Sequence, residues 1–140
     1  MSRQKERDLV CKPFVNSLRN YERLGLCEEG LAWTHIVNEQ MRWGKGNAYQ
    51  QAILGAHLKA MGRRAGWPDY VFLWPAEHRG CARLLFLEAK APDVSIRLTG
   101  EQLKFQKLCE KYRYPHHVFT SWGDGIKYLI DYGVIRADDL

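Results

Sequence analysis

The feature that most constrains the fold is the continuous apolar run Leu84-Leu-Phe-Leu87, which lies within the strand-like segment 82–90. A strand with one face in water alternates apolar and polar side chains, whereas a strand covered on both faces is apolar throughout. The run therefore predicts a central strand with helices on both faces of its sheet. No stretch approaches the roughly 20 apolar residues of a membrane span, and residues 1–8 do not resemble a signal peptide, so we expect a cytoplasmic protein.

A second predicted strand lies just before the first. The segment Tyr70-Val-Phe-Leu-Trp74 is rich in aromatic and β-branched residues, and only the short turn-like segment 75–80 separates it from Ala82–Lys90. Strands joined by so short a turn pair antiparallel. The two segments are therefore expected to form a hairpin.

The remaining segments predict helices and strands in alternation. Asn47 and Thr99 are suitable helix caps, and Pro13 leaves open whether the first helical region is continuous. We expect helices over about 6–26, 48–61, 99–112 and 124–132, and strands over 32–37 and 117–120. The order α-β-α-β-β-α-β-α predicts an α/β fold, with a mixed β-sheet flanked by helices in a single domain over residues 1–140.

The chain is basic, with 21 Lys and Arg against 16 Asp and Glu, a formal charge of +5 and a pI near 9.1. A basic surface attracts polyanions such as DNA, although many basic proteins bind no nucleic acid. Lys59, Arg63 and Arg64 precede the predicted hairpin and are candidate phosphate-binding residues. The alternative is that these charges only keep the surface soluble.

Cysteine and histidine spacing does not indicate a zinc site. The four cysteines form no Cys-x-x-Cys pair and have no histidine at zinc-site spacing, so free thiols are expected. The histidines form no metal-binding set either, and solvated or hydrogen-bonded roles are expected for them. For Trp122, near the last helix, stacking on a base and packing in a core or interface are the alternatives, and packing is favoured.

Three ionisable residues fall at the ends of the two hairpin strands. Glu88 and Lys90 lie on one face of their strand, about 6.6 Å apart, and the hairpin can bring Asp69 beside Glu88. Adjacent carboxylates repel unless a cation neutralises them, and Mg²⁺ binds one or two carboxylates while keeping waters or phosphate oxygens. A lysine beside such an ion positions water or stabilises charge on a phosphate. The pattern predicts phosphodiester hydrolysis, the alternative being a solvated charge pair.

The longer motifs around these residues resemble the VRR-NUC domain, a family of the PD-(D/E)xK nuclease superfamily. The resemblance extends from about Trp33 to Leu129, and the motifs follow in the family's order. The matching segments are Thr34-His-Ile-Val-Asn-Glu39, Lys59-Ala-Met-Gly-Arg-Arg-Ala-Gly-Trp-Pro-Asp-Tyr-Val-Phe-Leu73, Leu85-Phe-Leu-Glu-Ala-Lys-Ala-Pro92 and Leu98-Thr-Gly-Glu-Gln102. The resemblance implies a restriction-endonuclease-like core.

The resemblance also implies a role for each residue of the site. Asp69, Glu88 and the backbone carbonyl of Ala89 would bind one or two Mg²⁺ or Mn²⁺ ions, and Lys90 would be the catalytic lysine. The implied activity is that of a metal-dependent DNA endonuclease on branched DNA such as four-way (Holliday) junctions. Stand-alone members of the family look like phage or prophage proteins and often act as homodimers.

Two assignments stay open at this point. Gln102 matches a glutamine that family members carry near the catalytic site, but Thr99-x-x-Gln102 is also a capping box. Many superfamily members bring an acidic residue from the first helix to the metal. Glu6, Glu22 and Glu39 compete for this role, and Glu39 ranks first as a metal ligand because it follows a predicted strand.

Two other functions remain as alternatives to an endonuclease. One is a catalytically silent DNA-binding module of the same fold, and the other is a regulatory or structural partner in a phage complex. The presence of Asp69, Glu88 and Lys90 together favours the enzyme over the silent module.

Overall fold

A computed structural model describes residues 2–36, 47–77, 80–92 and 98–136. Helices and strands alternate along the chain, as the sequence predicts. The elements are α1 (Ser2–Lys5), a π-helix (Glu6–Cys11), α2 (Lys12–Arg23), β1 (Ala32–His35), α3 (Ala48–Ala60), β2 (Tyr70–Pro75), β3 (Ala82–Ala89), α4 (Gly100–Tyr112), β4 (His116–Phe119) and α5 (Trp122–Asp131). Within the described ranges, no helix is both long and apolar enough to cross a membrane.

The four strands form one mixed sheet in the order β1-β2-β3-β4. Strand β2 runs antiparallel to β1 and β3, which confirms the predicted hairpin, and β3 runs parallel to β4. The carboxyl ends of β1, β3 and β4 therefore lie at the same end of the sheet as the amino end of β2. We call this the site end, and it is marked by His35, Asp69, Lys90 and Thr120.

The first helical region is continuous from Ser2 to Arg23 and does not break at Pro13. Pro13 lies in the first turn of α2, directly after the π-helix. Proline supplies no N–H to the helical hydrogen-bond ladder and its ring crowds the preceding turn, and the change from π-helical to α-helical hydrogen bonding coincides with this residue. The chain changes from π-helical to α-helical geometry at this point.

One face of the sheet packs against the N-terminal helices and α5. The ring of Phe14 lies between those of Tyr70 and Phe119, at centroid distances of 5.1 Å and 4.9 Å. A Cβ on Gly125 would come within 2.8 Å of the Phe14 ring, so the glycine lets α5 approach closely. The core on this face contains Val10, Phe14, Leu18, Tyr70, Phe72, Trp74, Leu85, Leu87, Ala89, Phe119, Ile126, Leu129, Val134 and Ile135.

Helix α4 covers the other face of β3. The ring of Phe105 lies 5.2 Å from that of Phe86 and 5.0 Å from that of Trp67. Leu85, Phe86 and Leu87 are at most 5% exposed. The prediction that the apolar run is buried on both faces is therefore confirmed.

Two of the predicted boundaries differ from those in the structure. The last helix begins at Trp122, two residues before the predicted Asp124, because the Ser121 hydroxyl caps it by accepting a hydrogen bond from the Asp124 N–H. The first predicted strand ends at His35, and its last predicted residue, Val37, lies outside the described residues. The predicted cap at Asn47 is confirmed, since its side chain accepts from the Gln50 N–H at 2.9 Å.

Candidate active site

Asp69 and Glu88 meet at the site end of the sheet. Tyr70 pairs with Leu87 in the β2–β3 ladder, so the next residues outward, Asp69 and Glu88, stand opposite each other. The N–H of Asp69 donates to Glu88 Oε2 at 3.2 Å, and the N–H of Ala89 donates to Asp69 Oδ2 at 2.8 Å. The hairpin thus places the Glu88 carboxylate on the backbone of Asp69 and the Asp69 carboxylate on the backbone of Ala89.

Lys90 follows β3 and lies on the same face as Glu88. Its Nζ is 3.6 Å from Glu88 Oε1, and the two side chains are 16% and 5% exposed. The N–H of Lys90 donates to the carbonyl oxygen of Phe119 at 2.9 Å, which holds this residue in line with the sheet. The ammonium group is therefore held beside the carboxylate pair instead of moving freely in solvent.

Gln102 on α4 connects the lysine to the carboxylates. Its Nε2 donates to Glu88 Oε1 at 2.8 Å, and its Oε1 accepts from Lys90 Nζ at 3.0 Å. The same Oε1 accepts from the Thr99 N–H at 2.9 Å, and Thr99 Oγ1 accepts from the Gln102 N–H at 3.3 Å, which completes a capping box. Both alternatives left open by the sequence therefore describe this side chain, which caps α4 and also contacts the site.

Gly66 holds the loop before Asp69 against the first turn of α4. Its φ is +90°, and a Cβ at this position would lie only 2.4 Å from the carbonyl oxygen of Glu101. A larger residue would push the loop and the helix apart, because the atoms that it would meet belong to the backbone of Glu101 and Gln102 and cannot rotate away. The close approach fixes the segment that carries Asp69 relative to the turn that carries Gln102.

Burial raises the pKa of both carboxyl groups, and repulsion from Asp69 raises that of Glu88 further. Glu88 is 4% exposed, and burial first, then the charge of Asp69, raise its pKa to about 8 against the opposing charge of Lys90. Burial also raises the pKa of Asp69, against the lowering effects of the Ala89 N–H and the charge of His35. Without a further cation, the pair therefore favours retaining a proton.

The oxygen atoms at this position fit a hard divalent cation. Asp69 and Glu88 supply two neighbouring carboxylates whose pKa values are raised mainly by burial, which disfavours their charged forms in the absence of a cation. Mg²⁺ and Mn²⁺ accept such oxygen ligands and keep waters in the remaining positions. The carbonyl of Ala89 stays the predicted third ligand. In the described part of the chain, no group of three or more His, Cys, Asp or Glu side chains could hold a metal ion. A site built from two carboxylates and a backbone carbonyl does not require such a group.

The three candidate acids from the first part of the chain have different positions. Glu39, ranked first from the sequence, lies outside the described residues. Glu22 accepts a hydrogen bond from Trp33 Nε1 at 3.1 Å, which gives it a partner elsewhere on the surface. The charge of Glu6 raises the pKa of Glu88, although its effect is smaller than those of burial, Asp69 and Lys90. Glu6 is therefore the described candidate whose charge acts on the site.

His35 is a residue of the site end that sequence reasoning did not assign to it. It pairs with Tyr70 across the β1–β2 ladder, with ring centroids 5.2 Å apart. The N–H of the following residue, Ile36, donates to the carbonyl oxygen of Asp69 at 2.6 Å. Only the pairing of β1 with β2 could have revealed this position, since no local motif connects the histidine to Asp69.

The basic residues predicted to bind phosphate lie on the segment that leads into the site. Lys59 is in the last turn of α3, and Arg63 and Arg64 are in the loop that follows. Lys59 and Arg64 are exposed, and Arg63 is half-buried. Their positive charges therefore precede Asp69 by only a few residues, and contact with DNA stays a prediction.

Comparisons of the chain with protein-family models, with curated proteins and with solved structures found no match. The resemblance to the VRR-NUC domain therefore depends on the motifs of the sequence. The contacts of Asp69, Glu88, Lys90 and Gln102 are independent of that resemblance, because they follow from the register of the sheet and the position of α4.

Proposed function

We propose that this protein is a Mg²⁺- or Mn²⁺-dependent endodeoxyribonuclease with a restriction-endonuclease-like core, related to the VRR-NUC domain. The observation that supports the proposal most strongly is the contact network of Asp69, Glu88, Lys90 and Gln102. The network combines two carboxylates for a cation with an ammonium group and an amide that orients both. Hydrolysis of a phosphodiester uses groups of these kinds.

Each residue has a distinct part in the proposed reaction. Asp69 and Glu88, with the Ala89 carbonyl, would hold the cation, which when bound would lower the pKa of a water and polarise the phosphate oxygens. The ammonium group of Lys90, 3.6 Å from Glu88 Oε1, orients the attacking water and balances negative charge on the phosphate. Gln102 keeps Lys90 and Glu88 in this arrangement, so we assign it a positioning role.

The proposed substrate is branched DNA, such as a four-way junction. The formal charge of +5 favours a polyanionic partner, and Lys59, Arg63 and Arg64 are the residues proposed to contact its phosphates. Phosphate contacts position a duplex without reading its sequence. Recognition would therefore depend on the shape of the DNA, in the cytoplasm of a bacterial or phage-infected cell.

A homodimer is the proposed form of the enzyme. On α3 and the residue after it, the large apolar side chains of Tyr49, Ile53, Leu54 and Met61 are 41–84% exposed. Several large apolar side chains exposed on one helix are a feature of many protein interfaces. A two-fold dimer would present two active sites to a junction of matching symmetry.

Cleavage of labelled four-way junction, flap and linear duplex, each with Mg²⁺, Mn²⁺ or EDTA, tests the proposed activity. We expect wild type to cut only with metal, and both Lys90→Ala and Asp69→Asn to lower the rate at least about 100-fold. Lys111→Ala, which removes an exposed lysine from the far end of α4, is the matched control and should cut normally. If wild type binds these DNAs but cuts none with either metal, the silent DNA-binding module replaces the enzyme.

A further inference from the structure

Trp122 departs from the burial pattern of the helix that it begins. Residues at positions i, i+3, i+4 and i+7 lie on one side of a helix, and on α5 these are Trp122, Gly125, Ile126 and Leu129. Gly125, Ile126 and Leu129 are buried, the last two at 5% and 0% exposure, but Trp122 is 46% exposed. The apolar side of α5 therefore continues past the core and ends in an exposed indole.

Trp122 begins α5 directly after β4, at the site end of the sheet. The hydrogen bond from the Lys90 N–H to the Phe119 carbonyl oxygen places Thr120 beside Lys90. Only Ser121 separates Thr120 from Trp122. Strands are spaced by about 4.8 Å and consecutive Cα atoms by about 3.8 Å, so the Cα atoms of Lys90 and Trp122 are within about 12 Å of each other. That distance corresponds to a few nucleotides of a DNA strand.

The first turn of α5 holds Trp122 on an ordered support. The Ser121 hydroxyl accepts from the Asp124 N–H at 3.2 Å, and the N–H of Gly125 donates to the Ser121 carbonyl oxygen at 3.2 Å. A flat aromatic side chain on a fixed turn loses little conformational freedom when it makes a contact. Trp122 is therefore suited to binding a flat, apolar partner surface.

We propose that Trp122 stacks on an unpaired nucleobase of the DNA strand that enters the site, and that this contact gives the enzyme its preference for branched or gapped DNA. The inference rests on the proposed nuclease function. Every nucleobase presents a π-face, so stacking on an aromatic side chain tolerates any sequence. In an intact duplex both faces of each base are already stacked, and only a branch, gap or bulge exposes one. The positive charge of Lys90 attracts the backbone of the same strand.

Binding measurements in a Lys90→Ala background, where the DNA is not cut, test this contact. Anisotropy titrations would compare a duplex carrying a two-nucleotide gap with the same duplex fully paired, with 2-aminopurine at one of the unpaired positions. We expect Trp122→Ala to weaken binding to the gapped DNA about tenfold and to change binding to the paired duplex less than about twofold. Trp122→Phe should recover most of the loss. Tyr112→Ala, a change at a tyrosine that is 55% exposed at the far end of α4, should affect neither DNA.

The fluorescence of 2-aminopurine reports the stack directly. It should be quenched by proteins with Trp or Phe at position 122 and not by Trp122→Ala. Equal losses on both DNAs, no loss on either, or quenching that persists without the ring would each overturn the inference. Cleavage by the protein with Lys90 intact is measured in parallel. If the protein cuts DNA but Trp122→Ala does not weaken binding to the gapped DNA, only the stacking contact is rejected. If Trp122→Ala weakens that binding but the protein with Lys90 intact cuts no DNA, only the nuclease function is rejected.

Discussion

Replacing Glu88 with glutamine tests the electrostatics of the site in the metal-free protein. Burial first, and the charge of Asp69 second, raise the pKa of Glu88 from 4.5 to about 8. Between these pH values the unfolded chain has an ionised Glu88 while the native protein keeps the proton. The unfolded state then binds fewer protons, so stability falls as the pH rises through this range. At about 1.4 kcal/mol per pH unit, the difference between 4.5 and about 8 amounts to about 5 kcal/mol.

Glu88→Gln removes this dependence, because a carboxamide does not ionise. Its carbonyl oxygen can still accept from Gln102 Nε2, but its amide group then faces the Asp69 N–H. The mismatch of two donors costs about 2 kcal/mol. We therefore expect the variant to be about 3 kcal/mol more stable than wild type at pH 8, and no more stable than wild type at pH 5.

Urea unfolding in EDTA at pH 5, 6, 7 and 8 measures the difference. Glu29→Gln, which replaces an exposed loop carboxylate, is the control and should keep the wild-type dependence on pH. Added Mg²⁺ or Mn²⁺ should stabilise wild type increasingly as the pH rises, because the cation replaces the retained proton. Wild type and Glu88→Gln curves that run parallel across the range would refute the reasoning.

Two further predictions concern the contacts around α4. Gly66→Ala should lower the free energy of unfolding by about 3 kcal/mol, because left-handed strain adds to the clash with Glu101, whereas Gly62→Ala should cost only about 1 kcal/mol. Gly62 also has a positive φ but nothing within 4 Å of its Cβ position, so equal losses in urea unfolding would contradict a role for the close contact. Thr99→Ala should lower the free energy of unfolding by about 1 kcal/mol and leave the cleavage rate unchanged. Gln102→Ala should lower stability similarly, but it should also cut DNA at least about tenfold more slowly, with unchanged DNA affinity in EDTA. Equal cleavage rates would show that Gln102 is only a cap.

Much of the fold could be predicted because its signals are local. The apolar run 84–87 predicts a strand covered on both faces, and the short turn after Trp74 predicts its hairpin partner. The caps at Asn47 and Thr99 mark helix starts through hydrogen bonds that span only three residues. The predicted start of α5 at Asp124 is two residues late, because Ser121 caps the helix and Trp122 begins it.

The acidic residues show where local signals end. The sequence ranks Glu39 first because it follows a predicted strand, and no motif near Glu6 or Glu22 fixes the direction of either side chain. The structure gives Glu22 a hydrogen bond to Trp33 and brings the charge of Glu6 to bear on Glu88. The positions of these side chains depend on how the N-terminal helices pack against the sheet, which the sequence near them does not encode.

The sequence by itself determined that Asp69, Glu88 and Lys90 would share one end of a hairpin, because alternation along a strand and a short turn leave few other arrangements. Only the tertiary structure decided that Gln102 joins them, since that contact requires α4 to lie across β3, where the close approach at Gly66 holds it. The sheet order likewise placed His35 and Thr120 on either side of the carboxylates. Strand order depends on packing between distant segments, so no local pattern in the chain reveals it.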